Sequence, residues 1–219
     1  NYSDNSTSLV RSRCIADLED KKSIAYCSDA GTPLISDPGY KLVKEVVEKG
    51  FKVRSIPGAS AVLTALCQSG LPSDRFFFGG FPPSRKSQRV DFFKEYSLIP
   101  ATLIFFESAR RLIVTLEDLQ EIFGGNHTIV ISRELTKRYE ENNRGSIKNL
   151  IIQAQKSENI RGEFTILVDR KEAMKPDQNL IIAQLTSELS KSSLRDASAL
   201  IAEKYSLSKK DIIKRLGTE

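Results

Sequence analysis

The chain has 219 residues, with 33 Lys and Arg against 28 Asp and Glu and a net charge of +5. Its 40% hydrophobic content is more than a disordered chain carries, and no apolar run reaches the roughly 18–20 residues of a membrane-spanning helix. The mild basicity permits a nucleic-acid partner without requiring one. The opening Asn1–Ser8 has neither a cationic start nor an apolar core, so it is not a signal peptide, and there is no initiator Met. Three cysteines (Cys14, Cys27, Cys67) and the lone His127 do not supply the clustered ligands of a zinc site. No metal is expected, and the thiols read as buried and reduced in a cytoplasmic protein.

In chain order, Ser8–Leu18 reads as a helix and Ser23–Cys27 as a short buried strand. A turn-rich stretch, Ser28–Gly39, separates it from a helix over Tyr40–Val47, where Tyr40, Val43, Val46 and Val47 recur at helical spacing. Gly50 suits the left-handed residue that ends that helix. Phe51–Ile56 reads as the next strand, broken by Pro57-Gly58-Ala59-Ser60, and Ala61–Gln68 as a helix. This β-loop-α-β-loop-α order predicts a parallel, doubly wound sheet. Phe76–Pro83 has the aromatic, Gly- and Pro-rich composition of an interdomain linker. A second, mixed α/β unit follows, with helices at Gln88–Tyr96, around Leu112, Leu116 and Leu119, and at Ile147–Gln155. Its strands are Thr102–Phe106, Thr128–Ser132 and Phe164–Val168. The division expected is an N-terminal α/β domain over 1–79, a second α/β domain over 80–170, and a linker with a helical tail over 171–219. The tail helices are Asn179–Leu189, Leu194–Tyr205 and Lys209–Leu216. Hydroxyl caps sit at Ser193-x-x-Asp196 and Ser208-x-x-Asp211.

The densest local signal is Ser28–Gly39. In open α/β sheets ligands bind beyond the carboxyl ends of the strands, and small residues there let a ligand approach the backbone. The second loop, Pro57–Ala61, also follows a strand and opens a helix, whose first N–H groups are free to meet an anion or a hydroxyl. Simple chain reversal is the plain alternative for both loops. Arg133, Glu134 and Lys137 carry opposite charges within five residues after a strand. They are candidates for assisting a proton transfer or stabilising a developing negative charge, with a surface ion-pair cluster as the alternative. Ser84–Arg89 holds Arg85, Lys86 and Arg89 with no acid, beside the Phe76-Phe77-Phe78 run and Phe81. Cations there are suited to phosphates and aromatics to bases, and Arg110 and Arg111 add to the set. A solvated linker with a core-packing aromatic run is the alternative; the Phe triplet is expected to be mostly strand and core, with Arg85, Lys86 and Arg89 contacting RNA. His127 reads as structural.

Ser28-Asp29-Ala30-Gly31-Thr32-Pro33-Leu34-Ile35-Ser36-Asp37-Pro38-Gly39 resembles the signature loop of the ribosomal RNA small subunit methyltransferase I family, a branch of the tetrapyrrole methylase superfamily. The resemblance continues in order through Pro57–Ala61, Gly70–Phe76, Gly80–Pro83, Ala101–Ser108, Arg133-Glu134-Leu135-Thr136-Lys137 and Gly162-Glu163-Phe164. It implies a two-domain tetrapyrrole-methylase-like α/β fold, with a parallel first sheet, a mixed second sheet and a small helical tail. It implies a cytoplasmic, S-adenosylmethionine-dependent enzyme, a homodimer, that 2′-O-methylates a cytidine ribose in the decoding region of the small-subunit RNA or 30S subunit. By the same resemblance Asp29, Ala30, Gly31, Thr32, Ser60, Ala61, Phe106, Glu107, Gly162, Glu163 and Phe164 would line the cofactor. Arg133, Glu134 and Lys137 would serve catalysis, and Arg85, Lys86, Arg89, Arg110 and Arg111 would contact RNA. The family's first strand and its Gly-containing cofactor loop have no match ahead of Ser28, so the sequence reads as N-terminally truncated. Two alternatives follow: a non-catalytic RNA-binding remnant, and a tetrapyrrole methylase. The basic Ser84–Arg89 stretch argues against the second.

Overall fold

The computed structural model describes residues 2, 8–157, 160–170, 178–205, 209 and 212. The chain forms two compact units, 1–170 and 171–219. In the first, helix α1 (Ser8–Glu19) and helix α2 (Tyr40–Glu48) share a small apolar cluster of Ile15, Leu42 and Val46. Gly50, at φ 79°, takes the left-handed position expected after α2. Helix α3 (Ala61–Ser69) is capped at its start by Ser60 Oγ, which accepts from the Leu63 N–H, and ends at left-handed Gly70.

The rest of this unit is one sheet with strands β1 (Phe76–Gly80), β2 (Thr102–Ser108), β3 (Thr128–Arg133), β4 (Glu141–Ser146) and β5 (Glu163–Val168). Their order across the sheet is β1-β2-β5-β3-β4. β1 runs parallel to β2, while the β2/β5, β5/β3 and β3/β4 pairs are antiparallel. The carboxyl ends of β1, β2 and β3 therefore meet the amino ends of β4 and β5 at a single end of the sheet.

Helices α4 (Lys86–Tyr96), α5 (Leu112–Phe123) and α6 (Ile147–Lys156) supply the partners of one face, and α3 packs on the other. Strand alternation sorts the side chains between them. Leu103, Phe105, Ile129, Ile131, Phe164, Ile166 and Val168 join the core under α4–α6. Ile104, Val130 and Leu167 join Val62, Ala65 and Leu66 of α3. The second unit contains α7 (Gln178–Leu189) and α8 (Leu194–Tyr205), packed through Ile181, Leu185, Ala197 and Ile201. The Ser193–Asp196 cap forms as expected, with the Asp196 N–H donating to Ser193 Oγ at 3.3 Å. The Ser208–Asp211 cap, the linker at 171–177 and the helix over Lys209–Leu216 lie wholly or mostly outside the described residues.

The α/β class, the mixed sheet and the helical tail are present, while several local expectations change. The cysteines are not buried: Cys27 and Cys67 are exposed and Cys14 is half-buried. Ser23–Cys27 and Phe51–Ile56 do not enter a ladder among the described residues, and Ile24, Val53 and Ile56 stay exposed. A strand exists through its partners, and all five strands of the sheet come from the chain from Phe76 onward. Phe76–Gly80 has the composition of a linker but forms an edge strand, and its Phe triplet is the strand-and-core segment expected, with Phe77 and Phe78 packed against opposite faces. β4 (Glu-Asn-Asn-Arg-Gly-Ser) has no apolar alternation; pairing with β3 holds it in place. Arg144 also ties it to α3 by donating to the carbonyls of Ser69 and Gln68, where a cation meets the helix's carboxyl end. Among the described residues no helix is long and apolar enough to cross a membrane.

Gly79 is required by packing. A Cβ there would lie 2.6 Å from Phe105 Cε1 and 3.3 Å from Phe92 Cζ. Gly79→Ala is expected to lower stability by about 1–3 kcal/mol, seen as a lower urea midpoint with an unchanged slope. An unchanged midpoint would show that the ring yields at no cost.

Candidate functional site

The shared end of the sheet gathers most of the residues singled out from sequence. Loop 28–39 and the start of α3 are pinned together by Thr32 Oγ1, which donates to the Ala59 carbonyl at 2.7 Å. The first loop reaches the end of β1, since a Cβ on Gly80 would meet Ser36 Oγ at 3.9 Å. Asp29, Ala30 and Gly31 are exposed. Gly31 holds φ 70° with open space where a side chain would stand, which suits a close approach to backbone. Ser60 is committed to capping α3, and Ala61 is the exposed first residue of that helix.

The pleat divides the rest. Phe106 faces α3 and packs edge-on against Phe78 and Phe81, with ring centroids 4.8 and 5.6 Å away. Its neighbours in register are Thr165, then Ser132, then Asn142. Ser132 Oγ donates to Asn142 Oδ1, and Asn142 Nδ2 donates to Gln68 of α3. This polar row was missed from sequence. Its signal is Ser132 and Thr165, two hydroxyl residues inside otherwise apolar strands.

Glu107 and Phe164 are one residue out of phase and point to the other face, which corrects their side chains' expected place at the cofactor. Glu107 is 1% exposed. Its carboxylate accepts from the Ser108 N–H at 2.7 Å, from Arg111 Nε at 2.9 Å and from Thr115 Oγ1 at 2.7 Å. Phe164 lies in the core beneath α5 and α6.

Past the end of β3, Glu134, Lys137 and Glu163 form an ion cluster. Lys137 Nζ donates to Glu134 Oε1 at 3.0 Å and to Glu163 Oε2 at 2.9 Å. Glu134 Oε1 also accepts the Glu163 N–H at 2.9 Å. Gly162 makes room for it, because a Cβ there would lie 2.7 Å from Glu134 Cγ. The Glu163 N–H and the Lys137 ammonium hold the Glu134 carboxyl below its usual range. The Glu163 and Glu134 carboxylates raise Lys137. Lys137 is therefore a fixed cation at neutral pH and not a proton acceptor. Arg133 turns away from this cluster: its Nε donates to the Arg161 carbonyl and its Nη1 to Glu141.

The cations expected to meet RNA fall into two groups. Arg85, Lys86 and Arg110 are exposed. Arg89 is corrected: it is 4% exposed, its Nε donates to Asp118 at 2.6 Å, and its Nη1 donates to the carbonyls of Pro83 and Ser84. A guanidinium buried against Asp118 in this way is poorly placed to meet a phosphate. Arg111 is likewise committed to Glu107 and to the Pro82 carbonyl.

The family model of the tetrapyrrole (corrin/porphyrin) methylases matches residues 4–151. The chain belongs to this family. Within it, the chain is 43% identical over 188 residues to a ribosomal RNA small subunit methyltransferase I of Mesorhizobium japonicum, covering 86% of this chain and 64% of that protein. It is 40% identical over 205 residues to the protein of the same name from Escherichia coli O157:H7, covering 91% and 71%. The chain thus spans about two thirds of the length of these curated relatives. Among solved structures it resembles the methyltransferase CobJ, with a TM-score of 0.57 at 16% identity over 77% of this chain and 73% of that one. It also resembles uroporphyrin-III C-methyl transferase from Thermus thermophilus complexed with S-adenosyl homocysteine, with a TM-score of 0.50 at 15% identity over 76% and 74%. These two likenesses concern the fold.

The ion cluster gives a pH prediction. Glu134, with a lowered pKa, adds stability above its ordinary 4.5 and loses it as pH falls through the folded value. Lys137, with a raised pKa, adds stability below its ordinary 10.5 and loses it as pH rises through the folded value. Lys137→Met is therefore expected to cost at most about 1 kcal/mol at neutral pH, because the group is half-exposed. The difference in urea midpoint from the parent should vanish at both pH extremes. A difference that persists in strong acid would contradict the pairing.

Proposed function

We propose that this protein acts in the S-adenosylmethionine-dependent methylation of a cytidine 2′-hydroxyl in small-subunit ribosomal RNA. The observation that carries the reading is the 40–43% identity, over 86–91% of the chain, to relatives named ribosomal RNA small subunit methyltransferase I. The fold supports it by collecting the loops at 28–39 and 57–61, Phe106 and Lys137 at one sheet end. The reading extends, by the same resemblance, to a homodimer in the cytoplasm.

The residues at this end fit the cofactor's chemistry. Asp29 offers an exposed carboxylate to hydroxyls, Gly31 and Ala30 offer open backbone, and Phe106, Phe78 and Phe81 offer an aromatic wall. S-adenosylmethionine, when bound, supplies an electrophilic methyl group. The protein's task is to hold the acceptor hydroxyl in line and to ease its loss of a proton. Lys137 remains charged, so its contribution is electrostatic: its ammonium stabilises negative charge growing on the ribose oxygen. Glu134 and Glu163 fix the position of that ammonium. Arg85, Lys86 and Arg110 are the exposed cations that would position RNA phosphates, whereas Arg89 and Arg111 shape the protein.

The test is methyl transfer from labelled S-adenosylmethionine to small ribosomal subunits, with the modified nucleotide mapped. The expected result is one 2′-O-methylcytidine, with transfer about 10²–10³-fold slower in Lys137→Ala. Neutralising Arg85 and Lys86 together should reduce the salt dependence of RNA binding by roughly 1–2 units of log–log slope. RNA binding without any methyl transfer would move the protein to a purely binding role. Transfer to a tetrapyrrole would overturn the RNA reading.

A further inference from the structure

The loop joining β3 to β4 is shaped at a cost. Glu134 (φ 47°) and Thr136 (φ 64°) both hold left-handed backbone, and for a β-branched residue that conformation is a genuine outlier. Side chains brace it from three sides. Glu140 accepts the Thr136 N–H at 2.6 Å, Lys137 joins Glu134 to Glu163, and Gly162 leaves room for the Glu134 side chain. Strain of this kind persists only where surroundings over-determine it.

The braced loop carries Arg138 and Tyr139. The Arg138 guanidinium carbon lies 5.6 Å from the Tyr139 ring centroid, and Tyr139 is still 64% exposed. Charge around the pair cancels. Arg133, Lys137, Arg138 and Arg161 face Glu134, Glu140, Glu141 and Glu163, and most of these are paired. The surface is thus poorly suited to a phosphate and well suited to a planar, uncharged group. Aromatic rings and guanidinium planes both stack on nucleobases, which can be splayed from single-stranded RNA.

We propose that Arg138 and Tyr139 form a stacking platform for an unpaired RNA base next to the nucleotide whose ribose meets Lys137. The proposal rests on the ribosomal-RNA reading and adds to it a residue pair that holds the neighbouring base. Tyr139 is thereby a positioning residue: it orients the strand, and Lys137 acts on the acceptor oxygen.

These 219 residues contain no tryptophan, so Tyr139→Trp gives this chain a single indole, placed at the platform. The probe is a single-stranded oligocytidine of about twelve nucleotides. Tyr139→Trp is expected to bind it as the parent does, with its emission quenched on binding. Tyr139→Leu should bind roughly 5- to 100-fold more weakly, with the salt slope unchanged, and Tyr139→Phe should restore binding. In methyl transfer, Tyr139→Leu should raise KM for RNA more than it lowers kcat. Parent-like binding by Tyr139→Leu, or indole emission from Tyr139→Trp that stays unquenched on bound RNA, overturns the platform and leaves the methylation reading standing. A parent that neither binds oligocytidine nor methylates small subunits overturns both.

Discussion

The Glu107 carboxylate at the end of β2 is the contact on which the site's geometry depends. It is buried, and it is answered by the Ser108 N–H, the Arg111 guanidinium and the Thr115 hydroxyl. Burying a charge without such partners would cost several kcal/mol, so these donors are obligatory. Arg111 in turn donates to the Pro82 carbonyl at 2.9 Å. One carboxylate thus fixes the end of β2, the start of α5 and the turn after β1. Through that turn it sets Phe81 against Phe106 on the opposite face of the sheet. Arg89 performs a parallel service beneath the same segment, joining α4 to Asp118 of α5 and holding the Pro83 and Ser84 carbonyls.

The two faces of the sheet consequently have separate roles. The face under α4–α6 is a largely apolar core with Glu107 at its rim and a shallow cavity at the β3–α6 side, lined by Ile131, Leu150 and Phe164 with Arg133 and Glu141. The face toward α3 carries Phe106, Thr165, Ser132 and Asn142 in register, and beyond them the cluster of Glu163, Glu134 and Lys137. Since consecutive strand residues point to opposite faces, a contiguous motif such as Phe106-Glu107 or Glu163-Phe164 contributes one residue to each. This division separates the proposed chemistry from the scaffold that supports it.

Much of this was legible in the sequence where local signals and packing agree. Leu112, Leu116 and Leu119 announced α5, and all three are buried. Ser193 and Asp196 announced the start of α8. Thr102–Phe106 and Phe164–Val168 announced β2 and β5 through their apolar content. The misses share a physical cause, which is that tertiary pairing overrides local pattern. β4 is polar throughout, and only its hydrogen bonds to β3 make it a strand. Ser23–Cys27 and Phe51–Ile56 have strand-like composition and no ladder among the described residues. At the site, most of the residues in the colinear motifs gather at one end of the sheet. The motifs did not reveal which cations were already spent: Arg89 and Arg111 look like Arg85 and Arg110 in sequence, and only burial separates them.

The central claim is that loop 28–39, the start of α3, Phe106 and the Gly162–Glu163 turn form one ligand-binding surface on the α3 face. Amide hydrogen exchange with and without S-adenosylmethionine tests it most directly. Slowed exchange at Gly31 and Thr32, at Ala61 and Val62, at Phe106 and at Glu163, with little change in α5 and α6, is the predicted result. Protection confined to the α4–α6 face, or binding that leaves these amides unchanged, would contradict it.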